Sequence, residues 1–219
     1  NAAALAFRAG VRFSNLEMLQ YHPTTAPISG KRMLISEAAR GEGGRLFILR
    51  DGQPWYFMEE RYPALGNLMP RDVISREMVR VTREEGCGGQ VFLDLRGLSE
   101  TVLKDKLSDL REEIMAYLAV DPKTEPVPVS PGIHYFMGGI EVSDRHGTNI
   151  EGLFAAGEAC SKYHGANRLG GNSMLGALFG GKTAAEAAAS CAARTKEEAF
   201  DGPLPEASDP AARRRLRDA

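Results

Sequence analysis

The chain has 219 residues, 43% of them hydrophobic and 26% charged, with a net charge of −2. That length holds one large domain or two small ones, the composition is that of an ordinary globular protein, and the near-neutral balance gives no electrostatic basis for binding nucleic acid or an acidic membrane surface. Cys87, Cys160 and Cys191 are odd in number and far apart, which excludes a disulfide framework or a metal-ligand spacing and favours a reducing compartment, and no apolar run approaches the roughly 20 residues of a membrane helix.

Asn1 to Ala9 is Ala-rich and reads as the end of a helix closed by Gly10. The chain starts without methionine inside that pattern and stops in a charged tail, which predicts a piece of a longer protein. Val11 to Tyr21 leads into Gln20-Tyr-His22-Pro23-Thr24, where the proline biases His22 to extended backbone. Thr25 to Lys31, holding Pro27 and Gly30, is expected to be a loop. Arg32 to Arg40 predicts a strand turning into a helix, followed by a glycine-rich turn. Leu46 to Arg50 and Pro54 to Phe57 predict two strands joined at Asp51-Gly52, a strong hairpin signal. Met58 to Leu65 reads as irregular. Pro70 opens a predicted helix from Arg71 to Glu85, with Val73, Ile74, Met78 and Val79 as its apolar positions.

Val91 to Leu95 predicts a strand. Leu103, Leu107, Leu110, Ile114 and Leu118 recur every three or four residues and predict one amphipathic helix from Ser99 to Leu118. Asp121 to Pro131 carries four prolines and reads as a semi-rigid connector at a domain boundary. Gly138-Gly139 and a turn from Ser143 to Asn149 come next. Leu153 to Ala156 then predicts a buried strand ending in Gly157-Glu158, and a Gly/Asn-rich loop leads to a helix. Gly180 to Arg194 is its small-residue, closely packing part, and Asp201 to Ala219 is a loose charged tail. There is no internal repeat.

Glycines let a backbone approach a ligand closely, and the free N–H groups at a helix start favour anionic atoms. The loop from Gly157 to Ser173 therefore suits a large polar cofactor or, equally, an ordinary strand–loop–helix connection. Glu37 and Arg40, three apart, share a helical face, as functional pairs and surface pairs both do. Arg71-Asp72 at a helix start reads in the same two ways. His146, in Asp-Arg-His-Gly, is expected in a surface turn, and His164 in a loop. Taken together, Arg71, Arg168, His22 and His134, near glycine loops and helix starts, suit a dianion such as a dicarboxylate, because arginine grips a carboxylate with a planar fork.

The motifs Gln20-Tyr-His22-Pro23-Thr24, Ile35-Ser36-Glu37-Ala-Ala-Arg40-Gly-Glu-Gly-Gly44, Pro70-Arg71-Asp72, His134-Tyr-Phe-Met-Gly-Gly139 and Gly157-Glu158 through His164-Gly-Ala-Asn-Arg168-Leu-Gly-Gly-Asn-Ser173 occur in this order. The set resembles the flavoprotein subunit of succinate dehydrogenase and fumarate reductase, a close relative of L-aspartate oxidase. The resemblance implies an α+β protein: a capping domain plus a partial α/β FAD-binding domain. Residues 1–24 and 131–195 would belong to the flavin domain, 25–130 to a mobile lid, and 196–219 to the tail. The resemblance assigns one substrate carboxylate to His22 and Ser36, a serine where threonine is usual. It assigns the other carboxylate to His134 and Arg168. Arg71 would donate and accept the substrate proton, with Glu37 and Arg40 relaying protons to it. Glu158, Ser173 and Met174 would line FAD, Met174 standing where leucine is common.

The implied reaction interconverts succinate and fumarate by hydride transfer with FAD. The implied partners are a dicarboxylate and an iron–sulfur or other electron-transfer subunit. The implied location is cytoplasmic, at the inner face of the membrane through partner subunits. L-aspartate oxidase or a related flavin dehydrogenase is the second enzyme reading. The family's amino-terminal Gly-x-Gly-x-x-Gly unit is absent from these residues, so an isolated, inactive lid or partial domain without flavin is the reading of another class.

Overall fold

The computed structural model describes residues 2–194, and the expected tail beyond them lies outside the described residues. In chain order the elements are α1 (Ala2–Arg8), β1 (Phe13–Ser14), β2 (Leu19–Ile28), β3 (Lys31–Leu34), α2 (Ala38–Gly41), β4 (Arg45–Arg50), β5 (Gln53–Trp55), α3 (Phe57–Arg61), α4 (Arg71–Val81), β6 (Cys87–Asp94), α5 (Glu100–Asp105), α6 (Ser108–Leu118), β7 (Val127–Phe136), β8 (Gly139–Ile140) and α7 (Asn172–Ala192). Short 3-10 turns lie at Gly66–Leu68 and Gly157–Ala159.

Six strands form one sheet in the order β3-β2-β7-β6-β4-β5, and β1 pairs with β8 in a second. All these pairings are antiparallel, and the parallel contact among the described residues is the isolated bridge Ile140–Cys160. The architecture is thus mixed helix and antiparallel sheet. The larger core lies between this sheet and the helices: Leu46, Ile48 and Leu93 from the strands meet Phe57, Ile74, Met78, Leu103 and Ile114. A smaller core around Val11, Ile140 and Cys160 holds β1, β8 and the Gly157 turn together.

Several elements differ from expectation. Residues 25–31 are not a loop but the end of β2 and the turn into β3. Ser29 and Gly30 both adopt positive φ, 36° and 77°, as does Asp51-Gly52 in the β4–β5 hairpin, 50° and 78°, the backbone a tight hairpin needs. Pro27 pairs with Arg32 of β3 but lies past the last β2 residue paired to β7, where its missing N–H costs little. The Pro-rich connector ends at residue 126. From Val127 onward the chain is β7, between β2 and β6. The β2–β7 register shifts between His22 and Thr25, and this bulge accommodates Pro23 opposite Pro131. The strands β2 and β7 therefore run through positions 24/25 and 130/131.

Phe57 starts α3 rather than ending a strand, and much of the stretch expected to be irregular is helical. Helix α4 stops at Val81, which is buried, whereas Val79 is exposed. The single amphipathic helix is two. Ser99 caps α5 through the Val102 N–H, and Leu107 leaves helical geometry at φ −125°. Ser108 then opens α6, its hydroxyl donating to the Asp109 carboxylate, and Leu107 at the break is buried in the core. Leu153 to Ala156 forms only an isolated bridge, Phe154 with Gly147, and Leu153 is exposed. Gly180 through Ala192 belong to the 21-residue helix α7.

Candidate functional site

Strand alternation brings the first group together. Gln20 and His22 lie two apart on β2 and so share a face, and both are buried. The His22 ring meets that of His134, from β7, edge to face with centroids 5.2 Å apart. Burial first, then Arg71 and His134, pushes the His22 pKa down to about 3. His134 is lowered as well, by burial and then by Arg71 and Arg168. Both rings are thus neutral near pH 7, offering hydrogen bonds without adding charge.

Helix α4 begins where Pro70 presets its backbone, and Arg71 at its first position points back to β2 and α2. One Arg71 nitrogen donates to Glu37 Oε2 at 2.8 Å and the other to Gln20 Oε1 at 3.2 Å. Glu37 Oε1 accepts from Arg40 at 3.0 Å, so one carboxylate bridges two guanidinium groups. Arg40 is buried at 2% exposure and also donates to the Asn67 carbonyl at 2.6 Å. Burial would raise the Glu37 pKa, but the Arg71 hydrogen bond and the charges of Arg71 and Arg40 bring it below the usual carboxylate range. The Arg40 pKa is lowered by burial, with Glu37 opposing.

The glycine loop before α7 closes the group. The Gln20 amide donates to the Arg168 carbonyl at 2.6 Å and to Asn167 Oδ1 at 3.0 Å. Asn167 in turn donates to Asp72, the neighbour of Arg71, at 3.2 Å. The Arg168 guanidinium lies 4.3 Å from the centre of the Tyr135 ring, a cation–π contact. Burial and Arg71 lower its pKa. A Cβ at Gly170 would meet Glu37 Oε2 at 2.7 Å, so only glycine lets this loop approach the carboxylate so closely.

The cluster is short of negative charge. Two buried arginines, Arg40 and Arg168, and the half-buried Arg71 gather around Glu37, and Glu158 acts on Arg168 and His134 through its charge. The Nε atoms of Arg40, Arg71 and Arg168 are buried with no hydrogen-bond partner among the described residues. Buried positive charge that nearby carboxylates only partly match is costly, and an anion is the complement such a group can take.

Of the residues singled out from the sequence, His22, Glu37, Arg40, Arg71, His134 and Arg168 fall into this one neighbourhood. Ser36 is exposed, and its hydroxyl accepts the Ala38 N–H at 3.3 Å; among the described residues no bond joins it to the cluster. Glu158 is exposed, and its carboxylate accepts the Phe136 N–H at 2.9 Å. Ser173 and Met174 lie in the first turn of α7, whose N-cap is Gly171 at φ 81° with no side-chain cap. An uncapped helix start, an open glycine loop and the nearby Glu158 fit the polar parts of a flavin nucleotide.

Gln20, Asn67, Tyr135 and Asn167 were not foreseen. Gln20 carried a signal, since a strand places it on the face of His22. The others depend on long-range contacts. His146 is not in a surface turn: it is fully buried, at φ 63°, with Nε2 2.6 Å from Tyr163 Oη. The chemistry of Asp144, Arg145 and Gly147 suggests a surface turn, but left-handed backbone at His146 rotates its ring inward.

Residues 1–174 match the FAD binding domain family. The succinate dehydrogenase flavoprotein subunit of Bacillus subtilis is 45% identical over 188 residues, which are 84% of this chain and 32% of that protein. L-aspartate oxidase of Streptomyces coelicolor is 39% identical over 212 residues, 94% of this chain and 35% of that one. Among solved structures, E. coli quinol fumarate reductase FrdA superposes with TM-score 0.78 and 36% identity, covering 99% of this chain and 39% of that one. The chain spans about a third of the length of these relatives.

Proposed function

Because the chain belongs to the FAD-binding family that includes the succinate dehydrogenase and fumarate reductase flavoprotein subunits, we propose that it carries the dicarboxylate site of an FAD-dependent oxidoreductase interconverting succinate and fumarate. The observation that carries this reading is the Arg71–Glu37–Arg40 chain set beside His22, His134 and Arg168 with buried positive charge left over. Glu158 and the Ser173–Met174 backbone would hold FAD, which supplies the two-electron redox chemistry.

In this reading His134 and Arg168 take one carboxylate and His22, with Ser36 brought in from the rim, takes the other. Holding both ends fixes the reacting carbons, an advantage of proximity and orientation. Residues 25–130 would act as a lid hung on β2 and β7, pivoting at the bulge where Pro23 faces Pro131, and closure would bring Ser36 in and exclude water. Arg71 exchanges the proton at the carbon beside the redox centre. A guanidinium holds its proton to above about pH 12, so it serves as an acid only if the proton is replaced at once. Glu37, bonded to Arg71 and Arg40, would return it.

Arg71→Ala in the full-length protein is expected to keep flavin and substrate binding but to lower turnover by at least about 1,000-fold, within the range for general acid–base groups. Turnover near the unsubstituted level would remove Arg71 from this role. The Streptomyces relative, which matches a larger share of the chain, supports L-aspartate oxidase as the second reading. Oxidation of aspartate but not succinate by the full-length protein would select it. Purification of this chain alone as a colourless protein would mark it as a partial domain that needs the rest of the protein to hold flavin. A membrane-bound iron–sulfur partner is the further expectation; among the described residues no helix is long and apolar enough to cross a membrane.

A further inference from the structure

A second buried polar cluster lies apart from the arginines and takes no part in the chemistry above. Its centre is Tyr163 Oη, which is 2.6 Å from His146 Nε2, accepts the Gly157 N–H at 3.2 Å and lies 3.5 Å from Cys160 Sγ. A backbone N–H can only donate, so the hydroxyl accepts there, and its own proton is available to His146 Nε2 in the neutral tautomer that carries its proton on Nδ1. His146 is thus neutral, in agreement with a pKa lowered by burial. The Tyr163 and His146 rings stack with centroids 5.7 Å apart.

Both rings press on α7 where it has no side chains. A Cβ at Gly180 would lie 1.8 Å from Tyr163 Oη and 3.1 Å from His146 Nε2, and one at Gly176 would lie 3.1 Å from the Tyr163 ring. These two glycines, one turn apart, form a slot in α7 that admits the pair. Tyr163 thereby ties the turn bearing Glu158 to the first turns of α7, which bear Ser173 and Met174.

We propose that Tyr163 and His146 are positioning residues that set the spacing between the two flavin-lining elements, the Gly157–Glu158 turn and the start of α7. This deepens the flavin site proposed above and rests on it. Tyr163 and His146 act through the Gly157 N–H and the slot in α7. Freed from Tyr163, the turn lets the Glu158 carboxylate draw away, which favours the more electron-rich reduced flavin.

The test uses the full-length protein with Tyr163→Phe, which removes one oxygen and keeps the ring in its slot. The flavin midpoint potential is expected to rise by an amount equal to about fivefold in the ratio of reduced to oxidised affinity, the scale of one neutral hydrogen bond. That is about 20 mV for a two-electron couple. KM for the dicarboxylate should stay within about twofold. His146→Gln, whose amide oxygen can accept the Tyr163 proton, should stay closer to the unsubstituted potential than His146→Leu. An unmoved potential in Tyr163→Phe, with or without lost thermal stability, overturns the proposal while leaving the flavin site standing. Unsubstituted full-length protein that binds no FAD removes both.

Discussion

Two arginine networks lie on the same chain, and they are satisfied differently. In the first, Arg61 gives one nitrogen to Glu77 at 2.6 Å and the other to Glu84, and packs over Trp55. Arg50 and Arg80 add to these carboxylates from exposed positions where water solvates them. In the second, Arg40 and Arg168 are buried and Arg71 half-buried, Glu37 is the carboxylate bonded to two of them, and each retains an Nε donor without a partner among the described residues. The first network ties α3, α4 and the β4–β5 hairpin together. The second has positive charge to spare, and that surplus is what supports reading it as a ligand site rather than a brace built of the same residue types.

Substitutions can break or sharpen this contrast. Glu37→Gln in the full-length protein keeps a hydrogen bond to Arg71 but removes the charge, and turnover should fall by about 100-fold or more while flavin stays bound. Rapid turnover in that variant would show that protons reach Arg71 by another route. Acid should strike the second network through His22. Its folded pKa, about 3, lies below the ordinary 6.5, so the unfolded chain takes up the proton first. Stability is complete above pH 6.5 and falls as pH drops toward 3, by at most about 5 kcal/mol at 1.36 kcal/mol per unit. Denaturant unfolding at several pH values, with His22→Gln as the variant lacking this slope, measures it.

Arg61→Ala should do the reverse of Arg71→Ala. It leaves Glu77 and Glu84 short of a partner and should cost about 2 kcal/mol of stability, with the per-site turnover of folded enzyme unchanged. A large loss of turnover at full stability would erase the distinction between the networks. The smallest effect belongs to Arg76→Ala, which removes an exposed pair with Asp72 and should change stability by no more than about 0.5 kcal/mol.

Much of the site was legible in the sequence because its motifs carry unusual residue combinations: a histidine before proline, an arginine after proline at a helix start, an arginine inside a glycine loop. The strands were harder to read. Thr25 to Ile28 and Val127 to Pro131 contain prolines that mark loops by local rule, yet both are sheet, because Pro131 lies at the β2–β7 bulge and Pro27 and Pro128, beyond the last β2–β7 pair, each face a partner strand on one side only. The break at Leu107 was hidden because its spacing fits a continuous helix.

The amino-acid sequence by itself determined which chemical groups are present and the short-range geometry around them: the Asp51–Gly52 hairpin turn, a helix starting at Ser99, the start of α4 at Pro70, and the glycine loop before α7. Those arise from steric limits and hydrogen bonds within a few residues. Only the tertiary structure decided that Gln20 joins Arg71 to Arg168, that one carboxylate bridges the guanidinium groups of Arg40 and Arg71 with Arg168 close by, and that His146 and Tyr163 fit a slot in α7. Burial and charge balance depend on residues brought together from distant parts of the chain, and no local pattern encodes which donors will be left without a partner.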